Sequence, residues 1–268
     1  MAQNDPPSIT TTADPDTALL RSVYPRHLLD PSSPTPTHSD RPFVTLTYAQ
    51  SLDGKIAGPG GAQIRLSGEE SMRLTHWLRE LHDSILVGSG TVKNDDPQLT
   101  ARLPDLLPLP SQPTPIILDS RLSSPPGCKL VTNAQNGVGR RPMFVHGPEA
   151  DEEARRRLEE AGAELVEGER DPSTNHLSLP ALLSPSSPSR PHLGRSLMVE
   201  GGASVISSFL ASGLVDLVIV TVAPVLIGSE GVSVTRPGLK VPRLEHLETK
   251  VYGRDTVFVC RPVYDAAE

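Results

Sequence analysis

The sequence predicts an α/β domain: a mostly parallel sheet covered by helices on both faces, with an antiparallel hairpin at its C-terminal end. Three observations carry this. From residue 41 onward, short apolar runs rich in β-forming residues alternate with amphipathic segments, the β-α-β pattern that yields parallel strands. Several of those runs are apolar throughout, as strands buried on both faces are. After Leu214 to Val222, two more strands follow with no helix between them and meet at Gly253, which reads as a hairpin.

The elements follow in order. Residues 1 to 40 read as an irregular leader, because Pro-Pro, Asp-Pro and Ser-Pro-Thr-Pro steps interrupt them. Within it, Thr17 to Leu29 is apolar enough for a short helix on the domain, and the rest is expected to be mobile. The domain itself runs from 41 to 268. Phe43 to Ala49 alternates and forms the first strand. Ser67 with Glu70 is a capping box opening a helix whose apolar positions are Met72, Thr75, Leu78, Leu81 and Ile85. That helix ends near His82, and Ser84 to Val87 is a short buried strand. Residues 103 to 115 form a Leu- and Pro-rich surface loop. Strands at Ile116 to Leu118 and Met143 to His146 come next. A helix opens at Pro148 with Glu149, Asp151, Glu152 and Glu153 in its first turn, where acidic groups suit the helix dipole. Gly162 stops it, and Glu164 to Val166 is a strand. Residues 167 to 194 contain a second low-complexity loop. Ser196 to Val199 is a strand running into Glu200-Gly201-Gly202-Ala203-Ser204. A helix then carries Val205, Ile206, Phe209 and Leu210 up to Gly213. The last two strands are His246 to Tyr252 and Thr256 to Val263.

Composition excludes several functions. The 268 residues carry 28 prolines and a net charge of −7. Lys and Arg are scattered apart from Arg155 to Arg157, so no basic face for nucleic acid is expected. No run of about 18 apolar residues appears, so no membrane-spanning helix is expected. The polar, acidic N-terminus does not resemble a signal peptide, and the chain reads as intracellular, in the cytoplasm. The two cysteines, Cys128 and Cys260, lie far apart without a CxxC spacing. Neither a disulfide framework nor a metal site is expected.

In such sheets, ligands bind outside the carboxyl ends of the strands. Three segments stand there. Gly88-Ser89-Gly90-Thr91, followed by Asp95-Asp96-Pro97, lets backbone approach a phosphate or ring closely. Asp95 would accept from ribose hydroxyls or cap a turn, and the plain alternative for the whole segment is a turn. Gly201-Gly202 before a helix places free N–H groups at a helix start, an anion site; Ser204 as a simple N-cap is the alternative. Ser51-Leu52-Asp53-Gly54-Lys55 either lines the cleft or is only a turn. No Ser-His-Asp order, Walker lysine or metal cluster accompanies them, so a borrowed cofactor is the natural source of chemistry.

Four segments, SLDGKIA, LRELHDSILVGSGTVKNDDPQLTAR, ILDSRL and MVEGGASVISSFLASGLVDLVIVTVAPVLIG, taken in that order, resemble the reductase domain of riboflavin biosynthesis. The resemblance spans residues 41 to 262. In bacteria and plants that domain is often fused to a zinc deaminase. The paired signature of such a deaminase, a His-x-Glu with a Pro-Cys-x-x-Cys, does not occur here, so the chain looks like the stand-alone pyrimidine reductase of fungi and archaea. The resemblance implies a dihydrofolate-reductase-like fold, a homodimer and NADPH. It implies hydride transfer to C1′ of the ribosylamino group of 2,5-diamino-6-ribosylamino-4(3H)-pyrimidinone 5′-phosphate. By position it gives cofactor contacts to Thr91, Asp95, Leu99, Ser120 and the run Gly201, Gly202, Ala203, Ser204, Val205 and Ile206. It gives substrate contacts to Arg79, Arg102 and Glu200, the arginines suiting the 5′-phosphate because a guanidinium fork matches phosphate oxygens. A solvated helix arginine remains the alternative for Arg79. Glu200 and Asp53 are the candidate catalytic proton donors, with solvent or the substrate's own groups as the alternative. Gln63 to Arg65 depart from the bacterial pattern. Two other readings stand beside this one. A dihydrofolate reductase would need an acid on its first long helix, where only Glu69 and Glu70 of the capping turn are found. A non-catalytic ligand-binding protein of the same fold would bind no NADPH.

Overall fold

A computed structural model describes residues 15–30, 40–102, 112–235 and 238–264. Two short helices come first, α1 (Pro15–Val23) and α2 (Arg26–Leu29). The domain proper continues with β1 (Phe43–Ser51), β2 (Lys55–Ala57), α3 (Glu69–Leu81), β3 (Ser84–Gly88), α4 (Ser89–Asp95), β4 (Thr114–Leu118) and α5 (Lys129–Gln135). Next are β5 (Met143–His146), α6 (Glu152–Glu160), β6 (Glu164–Glu167), α7 (Leu179–Leu183), α8 (Arg190–Leu193), β7 (Ser196–Gly201) and α9 (Ala203–Ala211). The chain closes with β8 (Leu217–Ala223), β9 (Val232–Ser233), β10 (Arg243–Tyr252) and β11 (Asp255–Val263).

Nine strands form one sheet in the order β10-β11-β8-β1-β7-β3-β4-β5-β6. From β8 to β6 all neighbours are parallel, whereas β11 is antiparallel to β8 and to β10. This is the expected mixed sheet with its C-terminal hairpin. The apolar runs become strands because both sheet faces are buried and successive side chains point to opposite faces. Ile85, Val87, Ile117, Phe144 and Met198 enter one core with Leu74, Leu78 and Leu158 from α3 and α6. Their neighbours Leu86, Ile116, Met143, Val145, Leu197 and Val199 enter the other, beneath α7, α8 and α9.

Several expectations are corrected. The helix expected over Thr17 to Leu29 forms as two pieces, α1 and α2, and packs on the domain as expected, with Leu19, Leu20 and Leu28 and the intervening Tyr24 buried in the α3-side core. The Ser67–Glu70 capping box does not form. Gly68 holds the N-cap position of α3, and Asp255 at the start of β11 accepts from the Gly68 N–H (2.6 Å) and from Ser71 Oγ (2.5 Å). The buried stripe of α3 is Leu74, Trp77, Leu78 and Leu81, while Met72 turns to the cleft described below. Asp151, not Pro148, begins α6, accepting from the Ala154 N–H (3.0 Å). Residues 167 to 194 contain β6's last residue, α7 and α8, which are held by burial of Leu182, Leu183 and Leu193. The Leu-Pro loop ends sooner than expected, since Thr114 already pairs with Ser84; its residues 103–111 lie outside the described residues. Helix α5 has no counterpart in the sequence reading.

Candidate active site

The carboxyl ends of β1, β3, β4 and β7 enclose a cleft of about 1000 Å³. Tyr48 and Ala49 come from β1, Gly88 to Thr91 follow β3, and Leu118 and Ser120 lie at the end of β4. Glu200 to Ile206 carry β7 into α9. One wall is built by Gln63 to Ser67, the segment leading into α3. The fold thus brings Thr91, Asp95, Ser120 and the run from Gly201 to Ile206 together around one space, as their places at strand ends predict.

Glycine has a steric task here. A Cβ on Gly88 would lie 2.9 Å from Val205 Cγ2, so this glycine lets the start of α9 sit against the end of β3. Gly201 has φ +142°, a backbone that other residues rarely adopt. Gly202, not Ser204, is the N-cap of α9 and makes no side-chain cap. The Gly202 N–H donates to Thr91 Oγ1 (2.9 Å), which ties the β3 and β7 loops together across the cleft floor. Burial raises the Asp95 carboxyl above its ordinary range.

Glu200 lines the cleft, and Arg79 approaches it from α3. Arg79 Nε and Nη2 donate to the two carboxylate oxygens, each at 2.7 Å, and Nη1 donates to the Thr100 carbonyl (3.1 Å). Arg79 is 8% exposed and is not among the cleft-lining residues. It is therefore neither a solvated helix arginine nor a side chain presented to the cavity. Arg102 is exposed, with Nη1 near Thr100 Oγ1 (3.1 Å), and burial and then the Arg79 charge hold its guanidinium below its ordinary value. His76 accepts the Arg102 N–H at Nδ1 (3.3 Å); burial first, then Arg79 and Arg102, hold its imidazole down to about 4.

Besides Arg79, three expected site residues stand outside the cleft lining: Arg102, Leu99 and Asp53. Leu99 is buried in the α3-side core and does not line the cleft. Its backbone has φ 53°, unusual for a leucine, in the turn just before Thr100. Asp53 is also outside the cleft lining. Its carboxylate accepts from Ser51 Oγ (2.5 Å) and from the N–H groups of Ile227 (3.1 Å) and Gly228 (2.7 Å). Those bonds, Ser51 first, lower its acid group to about 2. Asp53 fastens the loop after β8 to the turn after β1, which is not the setting of a proton donor. Sequence reasoning missed Tyr48, Met72, His176 and Leu177 as cleft residues. Tyr48 was findable from the strand-end rule; His176 and Leu177 carry no local signal. Among the described residues no group of three or more His, Cys, Asp or Glu is placed to hold a metal ion, and no helix is long and apolar enough to cross a membrane.

Residues 42–258 match the family model of the RibD C-terminal domain. The chain belongs to that family. It is 38% identical over 205 residues to the 2,5-diamino-6-ribosylamino-4(3H)-pyrimidinone 5′-phosphate reductase of Candida glabrata, covering 74% of this chain and 80% of that one. The protein of the same name from Eremothecium gossypii is 38% identical over 237 residues, covering 82% and 89%. Among solved structures, the riboflavin biosynthesis reductase Rib7 of Saccharomyces cerevisiae superimposes with a TM-score of 0.69 at 28% identity, covering 91% of this chain and 99% of that one. The family implied by the sequence, and the mostly parallel sheet with its C-terminal antiparallel hairpin, are thus those observed.

Proposed function

We propose that this chain reduces 2,5-diamino-6-ribosylamino-4(3H)-pyrimidinone 5′-phosphate to its ribitylamino product, with NADPH as the hydride donor. One observation carries the reading: in a member of the RibD C-terminal domain family, a glycine-flanked helix start and the Glu200 carboxylate line the same cleft. Substrate, NADPH and one proton give the ribitylamine and NADP⁺. The sugar ring opens to an imine at C1′, and NADPH when bound supplies the hydride to that carbon.

The residues present fit such a cofactor. The first-turn N–H groups of α9 have no intrahelical acceptor and lie at the positive end of the helix dipole, where a diphosphate is favoured. Thr91 holds the Gly201-Gly202 corner in place for them. Ser120 and Asp95 supply partners for ribose hydroxyls on the β4 side, and Gly90 leaves open space beside them. Glu200 faces the reacting sugar carbon, and exposed Arg102 meets the 5′-phosphate. With Asp53 engaged elsewhere, solvent is the source of the proton. A cytoplasmic homodimer belongs to the same reading, and sedimentation of the purified chain tests the dimer.

The decisive experiment follows NADPH absorbance in the presence of the ribosylaminopyrimidine phosphate. Substrate-dependent oxidation with formation of the ribitylamine is expected. Its absence in a chain that is folded and binds NADPH overturns the proposal.

A further inference from the structure

Glu200 and Arg79 are 121 positions apart in the chain, yet they form a two-point fork. The side chain of Glu200 is 15% exposed, on the cleft wall; that of Arg79 is 10% exposed, behind it. The edge of the guanidinium that would match a phosphate is already matched to the carboxylate, and Nη1 is spent on Thr100. The left-handed turn at Leu99 precedes that carbonyl. The groups facing this pair are few. His76 lies on α3 between Arg79 and Arg102, and its depressed imidazole is neutral. His82, just past the end of α3, is buried and depressed likewise. Arg102 is the second cation, on the segment after α4. Among the described residues, Glu200 is the acid that pairs with Arg79.

We propose that Arg79 is a positioning residue: it fixes the Glu200 carboxylate in the cleft wall, beside the protonated imine of the substrate, and leaves the 5′-phosphate to Arg102. The carboxylate accepts on the Arg79 side with its inner lone pairs and offers the outer ones to the positive C1′–N unit. It gains no proton; the iminium proton stays on nitrogen while the hydride reaches carbon, and a neutral amine results. A lysine at 79 would keep the charge and lose the fork. This inference rests on the reductase reading of the cleft.

The test compares Arg79→Gln, Arg79→Lys, Glu200→Gln, Arg102→Gln and the Arg79→Gln/Glu200→Gln pair. Steady-state kinetics are measured for both substrates, with inorganic phosphate as an inhibitor. Arg79→Gln should lower kcat roughly 100-fold with little change in the KM for the pyrimidine phosphate or in phosphate inhibition. The double variant should be no slower than Glu200→Gln, because the two act as one unit. Arg79→Lys should recover part of kcat. Arg102→Gln should raise that KM and weaken phosphate inhibition. A crystal structure of Arg79→Gln, or of Arg79→Lys if the first does not fold, should show the Glu200 carboxylate displaced from the wall. An Arg79→Gln enzyme with retained kcat, raised KM and lost phosphate inhibition overturns the proposal, as does an additive double variant or an unmoved Glu200. A parent chain without reductase activity would instead sink the reading of the cleft, and the position of Glu200 in the variant would still judge the role of Arg79.

Discussion

Gly202 shows how a single residue sets the site. Its N–H is held by Thr91, and a Cβ added there would lie 3.1 Å from Thr91 Oγ1. Gly202→Asp should therefore do two things at once: push on the Thr91 bond and set a carboxylate at the α9 start, where the helix dipole and its N–H groups favour a ligand anion. NADPH affinity should fall about tenfold or more, equivalent to about 1.4 kcal/mol. Fluorescence titration of NADPH checks this, and parent-like binding would remove the diphosphate from this corner. Asp53 teaches the opposite lesson. An Asp-Gly step after a strand has the right address for a cleft residue, but its carboxylate is consumed by Ser51, Ile227 and Gly228.

Helix α3 carries Arg79, His76 and Met72, so its anchoring matters to the cleft. Its N-terminus is capped from across the molecule by Asp255, which is fully buried. Neighbouring Arg254 donates Nη2 to the Leu66 carbonyl (3.0 Å), gripping the segment that forms the cleft wall. The hairpin turn between β10 and β11 is thus a latch on that wall. Asp255→Ala should cost about 1 to 3 kcal/mol, the loss of the acceptor that caps the part-buried Gly68 N–H and of the shorter of the two bonds made by the buried Ser71 hydroxyl. Urea unfolding measures it, and a midpoint equal to the parent's would show that water replaces the carboxylate without loss.

The N-terminal helices are joined to the sheet by apolar burial and by one buried polar chain. Tyr24 OH donates to Thr45 Oγ1 (2.9 Å), Thr45 Oγ1 donates to His82 Nε2 (2.9 Å), and His82 Nδ1 donates to the Leu78 carbonyl (2.6 Å). This links the leader, β1 and the end of α3. Burial holds the His82 imidazole down to about 4 from the ordinary 6.5, and His76 likewise. Between those two values the unfolded chain binds more protons than the folded one. Stability should be full above about pH 6.5, fall as the pH drops toward 4, and level off there, by on the order of 2 to 3 kcal/mol for each buried histidine. Urea midpoints at about pH 7.5 and pH 5 test this. His82→Gln should flatten the dependence; a parent whose midpoint does not change would refute it.

The strand positions, the helix start after Gly201-Gly202 and the C-terminal hairpin were legible because each is written in a local pattern: apolar runs, glycine punctuation and alternation with period two. The four family segments carry Thr91, Asp95, Ser120 and the run Glu200 to Ile206, which line the cleft because they sit at strand ends, where the sheet itself converges. What the spacing could not show is who meets whom over long separations. Asp255 replaces Ser67 as the acceptor at the start of α3, Arg79 turns to Glu200, and His176 and Leu177 reach the cleft. That Thr17 to Leu29 packs on the domain was legible from its apolar residues; that Tyr24 meets Thr45 of β1 was not. Each of these meetings depends on which surfaces the strand order β10-β11-β8-β1-β7-β3-β4-β5-β6 brings into contact. Local propensity is weak against the burial of a few apolar side chains or the satisfaction of a buried carboxylate, so at these positions the assembled sheet decided and the sequence pattern did not.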